Sequence, residues 1–239
     1  MDKITPAAED LARKFRSDNG YSMSEPIIVK TLLTKLHILT MYKSLSENAY
    51  GLSTLSADKK DKFILINSES SKGRQHFTIA HELYHLYLDE NPHPHVCRKD
   101  SKRDKAEIFA DAFASALLLP RDGILKVIPN DEIKNRNVSL ATVLSLEQYF
   151  RVSHQCTLVR LKRLSLITEE TLLSMQNIKI RDVAPQYGIF DMSLYGKGNK
   201  NVILSDYGFK AKSLFDNEKI SESHYNQLMK LISDAKEEG

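Results

Sequence analysis

The stretch Arg74–His85, RQHFTIAHELYH, sets the fold class and the chemistry together. His81 and His85 stand at i and i+4, so on a helix both imidazoles project from one face within reach of a single ion. Glu82 lies about 100° further round the helix, where it can approach a water on the metal without itself ligating. Phe77, Ile79, Ala80, Leu83 and Leu86 supply apolar packing around this polar stripe. The helical pattern runs from Arg74 to Leu88, and Pro92 and Pro94 end it by removing donors and crowding the preceding turn. Tyr84 points away from both histidines and reads as core.

A catalytic zinc keeps three protein ligands and one open position, so a third ligand is expected from a second helix nearby. The segment 104–119, closed by Pro120, is that helix, and Glu107, Ala110, Asp111 and Ala114 share one of its faces. The small residues allow close approach, and Glu107 is the best candidate for the third ligand. Asp111, one turn on, is placed to accept the free ring N–H of a ligating histidine. His93, His95 and Cys97 are rival ligands in a basic, polar loop expected over residues 91–103.

Upstream, residues 5–18 carry apolar side chains at helical spacing up to Asn19-Gly20, and residues 26–36 form a second helix with Pro26 at its permitted first turn. His37–Tyr42, Ala49–Leu55 and Lys62–Asn67 are short, β-branched and aromatic, and read as a small antiparallel sheet. The last of these strands precedes the motif helix and is expected to offer an exposed edge to an extended substrate. Downstream, 139–150, 153–164 and 168–176 read as three short helices. Beyond 177 the texture turns to extended runs around residues 196–201, then a final helix from about Ser221 to Lys236.

The 239 residues carry 41% hydrophobic and 27% charged side chains, which fits a folded globular chain. The first fifteen residues mix acids with bases and lack an apolar run, so a signal peptide is not expected. Apolar stretches such as Ala116–Leu119 fall far short of the roughly 20 residues a membrane helix needs. Two cysteines, Cys97 and Cys156, offer neither a disulfide framework nor a thiolate cluster. The expectation is a soluble, cytoplasmic protein without a membrane partner. The net charge of +3 is too small to argue for nucleic acid.

RQHFTIAHELYH, followed by Glu107–Pro120 (EIFADAFASALLLP), resembles the ImmA/IrrE family of zinc metallopeptidases, both halves in order. The likeness runs from the first helix to Arg160-Leu161. It implies zinc held by His81, His85 and Glu107 with Glu82 as the catalytic base; the family often has Asn where this chain has Asp111. Members are commonly bacterial or phage regulators that clip a helix-turn-helix repressor, some beside toxin–antitoxin modules, so the resemblance implies a protein substrate of that kind.

These readings give an α+β fold: a helical, zincin-like peptidase domain with a small antiparallel sheet at 1–125, a helical, helix-turn-helix-like subdomain at 126–176, and a small C-terminal α/β accessory region at 177–239. Two other functions compete. Residues 139–164 read as helix, tight turn, helix, with Arg160, Lys162 and Arg163 on the second helix, which offers weak DNA binding. The zinc could instead be mainly structural in a toxin-system partner, but a structural site has no need of Glu82 at the open position.

Overall fold

A computed structural model describes residues 4–89, 95–98, 104–204 and 206–233. In chain order the elements are α1 (Ile4–Asp18), α2 (Val29–Lys35), β1 (Leu39–Lys43), β2 (Ala49–Leu55), β3 (Lys62–Asn67), α3 (Lys72–Tyr87), β4 (His95–Arg98), α4 (Lys105–Leu118), α5 (Arg121–Val127), α6 (Asn130–Asn135), α7 (Leu140–Phe150), α8 (His154–Arg163), α9 (Glu169–Met175), α10 (Ile180–Val183), β5 (Ile203–Leu204), α11 (Tyr207–Asp216) and α12 (Glu222–Ser233), with 3-10 turns at Ala184–Tyr187 and Ser193–Tyr195. The fold is α+β.

The two motif helices start on side-chain caps. Ser71 accepts from the Arg74 N–H at the start of α3, and Asp104 accepts from the Glu107 N–H at the start of α4. Each satisfies a donor that the first helical turn leaves unpaired. The cap on α4 also fixes Glu107 in the third helical position, a turn before Asp111.

The sheet differs from the antiparallel one expected. Its order is β4-β2-β3-β1-β5, and β1 pairs parallel with β3, Leu39 opposite Phe63 and Lys43 opposite Asn67. The remaining pairs are antiparallel, so the sheet is mixed. β3 is therefore interior, between β2 and β1, and offers no edge to a substrate. The outer edge of β2 is taken by β4, which replaces part of the expected 91–103 loop with a strand. Pro26 stands outside α2, which starts at Val29.

Ile64 and Ile66 of β3 are fully buried against the helical layer, where α3 packs on α4 and α4 on α1. Phe15 meets Phe113 edge to face at 5.7 Å, an arrangement aromatic quadrupoles favour. The buried Arg16 donates to the carbonyls of Ser22, Leu117 and Glu25, tying the end of α1 to the end of α4. Burial outweighs the nearby Tyr21 and Glu25 and lowers its pKa to about 10.

Two further contacts set the surroundings of α3. A Cβ built on Gly73 would lie 2.7 Å from the Ser153 nitrogen, so the start of α3 abuts the α7–α8 turn backbone to backbone. The Lys72 N–H donates to Gly196 O at 2.8 Å, and the fully buried Gln75 exchanges hydrogen bonds with Gly198 O and the Asn199 amide. The extended runs expected after 177 are largely short helices, and β5 joins the main sheet beside β1.

Candidate metal centre

α3 and α4 bring the four expected residues together. His81 Nε2 lies 3.3 Å from His85 Nε2, and the Glu107 carboxylate closes the group at 3.5 Å from His81 Nε2 and 3.3 Å from His85 Nε2. One ligand atom from each lies within 4.8 Å of the others. Glu82 is fully buried beside them, and Ser53 of β2 donates to its Oε2 at 2.6 Å.

The donor chemistry fits a cation. His81 Nδ1 is 3.0 Å from Asp111 Oδ1, and His85 Nδ1 is 3.0 Å from Asp89 Oδ2. An ionised carboxylate can only accept, so each Nδ1 carries the hydrogen and each Nε2 points a lone pair inward. Two lone pairs and a carboxylate converging in a buried site repel unless a metal ion or a proton lies between them. The metal-free His81 shows the same demand. Burial lowers its pKa, but hydrogen bonds to Asp111 and Glu107 and the charge of Glu82 outweigh burial and raise it to about 9.

Asp111 stands where the sequence put it, against His81. Asp89 performs the equivalent service for His85 and was not expected, although it lies at i+4 from His85; it sits just past the last turn of α3. Ser53 left no signal in the sequence, because its approach to Glu82 depends on strand packing. Tyr84, read as core, is half-buried and packs against the core, stacked on Phe109 at 5.4 Å.

Of the rival ligands, His93 and the side chain of His95 lie outside the described residues. Cys97 does reach the site: its sulfur groups with His81 and Glu82 inside 4.8 Å. Burial, with Glu82, Glu107 and Asp111 adding to it, pushes the Cys97 thiol pKa well up.

Beside His81 opens a cleft of about 320 Å³, walled by Arg74 and Phe77 of α3 and by Gln155, Val159 and Arg163 of α8. Ser115, one turn beyond Asp111, also lines it, and its buried hydroxyl has no hydrogen-bond partner among the described residues. α8 is thus a wall of the cleft. Arg160 is buried, ion-paired with Glu9 and donating to Leu119 O, while Lys162 pairs with Glu169 at 3.1 Å. Two of the three cations behind the DNA-binding reading are therefore engaged within the protein, and Arg160 has no solvent-facing surface to offer a phosphate.

Residues 33–162 match the IrrE N-terminal-like domain, Peptidase_M78. The chain belongs to this family. The IrrE-like match takes in every motif residue named above and stops at the end of α8. The chain is also 30% identical over 137 residues to "Uncharacterized immunity region protein 2" of Bacillus phage phi105, an alignment spanning 54% of this chain and 75% of that relative. Among the described residues, no helix of this IrrE-like protein is long and apolar enough to cross a membrane.

Proposed function

We propose that this IrrE-like protein is a cytoplasmic zinc-dependent endopeptidase that cleaves a regulatory protein, with helix-turn-helix repressors as its substrate class. The observation that carries the reading is the convergence of two histidine lone pairs and a carboxylate beside a buried second carboxylate. His81, His85 and Glu107 would hold the metal, and two imidazoles with one carboxylate suit zinc. Bound zinc supplies a Lewis acid that acidifies water and polarises a peptide carbonyl.

Glu82 takes a proton from the attacking water and returns it to the leaving amine. Ser53, hydrogen-bonded to Oε2, holds the carboxylate in one orientation during both transfers. Asp111 and Asp89 keep each imidazole in the tautomer whose Nε2 faces the ion. The cleft between α3 and α8 is large enough to take a substrate side chain next to the scissile bond. The repressor assignment draws on the ImmA/IrrE resemblance and on the immunity-region name of the phage relative.

The test is to incubate zinc-loaded wild type and Glu82→Gln with extract from the source cell and map new protein N-termini by mass spectrometry. New ends made by wild type alone, within a repressor, support the reading. Identical profiles from the two proteins, both containing zinc, would remove the peptidase assignment.

A further inference from the structure

The cleft beside His81 holds two guanidinium groups that the metal centre does not use. Arg163, the third cation on α8, lines it together with Arg74 of α3. Among the described residues neither has an ion-pair partner, and Arg74 rests over the Tyr50 ring at 4.6 Å. Both charges reach the Cys156 thiol in the cleft wall: burial pushes its pKa up to about 12, and Arg160, Arg74 and Arg163 oppose that rise. The two carboxylates of the cleft are committed elsewhere. Glu107 faces the Nε2 atoms of His81 and His85, and Asp111 accepts from His81 Nδ1.

Ser115 is an independent sign of a ligand. It is 3% exposed, lines the same cleft, and its hydroxyl has no hydrogen-bond partner among the described residues. Buried hydroxyls are ordinarily bonded, so one turned to a cleft is suited to a group that enters it. Phe77 and Val159 supply apolar wall between these polar groups. We infer that the cleft is a specificity subsite for a glutamate side chain of the substrate beside the scissile bond, its carboxylate bound by Arg74 and Arg163 with Ser115 hydrogen-bonding to it. The inference rests on the peptidase reading above. Guanidinium forks match a carboxylate in plane and charge, and the glutamate methylenes pack on Phe77 and Val159. A substrate lysine would meet two like charges, and a leucine would strip water from the guanidinium groups without pairing them.

Two series of peptide hydroxamates test this on the zinc-loaded full chain. One varies the residue on the acyl side of the zinc-binding group and the other the residue on the amine side, each as Glu, Gln, Leu or Lys. Calorimetry is expected to show, in one series, the glutamyl probe binding about tenfold or more tighter than the glutaminyl one, with the lysyl probe weakest. Arg74→Gln and Arg163→Gln are each expected to erase most of that preference at unchanged zinc content. Ser115→Ala should reduce it, and Arg163→Glu should shift it toward the lysyl probe. Probes that bind wild type with no glutamyl preference in either series, or a preference that survives both arginine variants, overturn the subsite and leave the metal centre standing. Wild type that holds no zinc, or that holds zinc and binds none of the probes, overturns the peptidase reading and the subsite with it.

Discussion

Ser53 and Glu82, 29 residues apart in the chain, meet in a buried 2.6 Å hydrogen bond that joins the sheet to the motif helix. The carboxylate is wholly enclosed, so its orientation is set by that hydroxyl and not by solvent.

Removing the hydroxyl should act on turnover and spare the metal. A hydrogen bond to a charged, buried group contributes about 1.5–3 kcal/mol. Ser53→Ala is expected to lower kcat by roughly tenfold or more at unchanged zinc stoichiometry, while Glu82→Gln abolishes turnover with zinc retained. Steady-state kinetics with metal analysis on the same samples checks this; zinc loss in Ser53→Ala would make the bond structural.

Asp111 and Asp89 should prove comparable in effect although only one was legible beforehand. Loss of a carboxylate behind a ligating histidine typically weakens metal binding by about 10–100-fold. Asp111→Ala and Asp89→Ala are both expected in that range, and Asp111→Asn, which keeps an accepting oxygen, should be milder. Competition against a chromogenic chelator measures all three.

The metal-free protein should lose stability on the alkaline side. His81 has a folded pKa of about 9, raised from the ordinary 6.5. A raised pKa means that protonation favours the fold, so this contribution is complete below about pH 6.5 and is lost as pH climbs through about 9. Thermal unfolding of chelator-treated protein across that window should show a falling Tm, and zinc should suppress the fall. A flat metal-free profile would contradict it.

Gly73→Ala should loosen the contact between α3 and the α7–α8 turn. The new Cβ would lie 2.7 Å from the Ser153 nitrogen and 2.9 Å from the Val152 carbonyl carbon, both backbone atoms that cannot rotate aside. Overpacking of this kind costs about 1–3 kcal/mol. Denaturant titration reads the loss, and an unchanged midpoint would mean that the two segments part freely.

The helices were legible because their signals are local: the i, i+4 histidines, the prolines that close the motif helices, and the helical spacing of residues 139–150 and 153–164. Strand direction was not, because the alternation in Leu39–Lys43 reads the same whether Leu39 faces Phe63 or Asn67. β4 and β5, with four and two residues, are too short for any periodicity to register. The site divided along the same line. His81, His85, Glu82, Glu107 and Asp111 belong to helical spacings, and their proximity could be read from the sequence. The place of Ser53 arises from sheet packing and could not, whereas Cys97 was among the rival ligands read in the 91–103 loop and comes near His81 through the pairing of β4 with β2. Arg160 misled in the opposite sense, since a cation on a short helix reads as solvated until Glu9, from the first helix, is seen against it.

The hydrogen bonds from residues 196–202 to Lys72, Gln75 and Tyr42 tie the start of α3 and the edge of β1 to a segment far along the chain. During synthesis the HExxH helix leaves the ribosome more than a hundred residues before the segment that completes its first turn and covers β1. Until that segment emerges, the Lys72 N–H lacks its carbonyl partner and the β1 edge stays open. The first turn of the helix that carries His81 and His85 is thereby completed only by residues more than a hundred positions further along the chain.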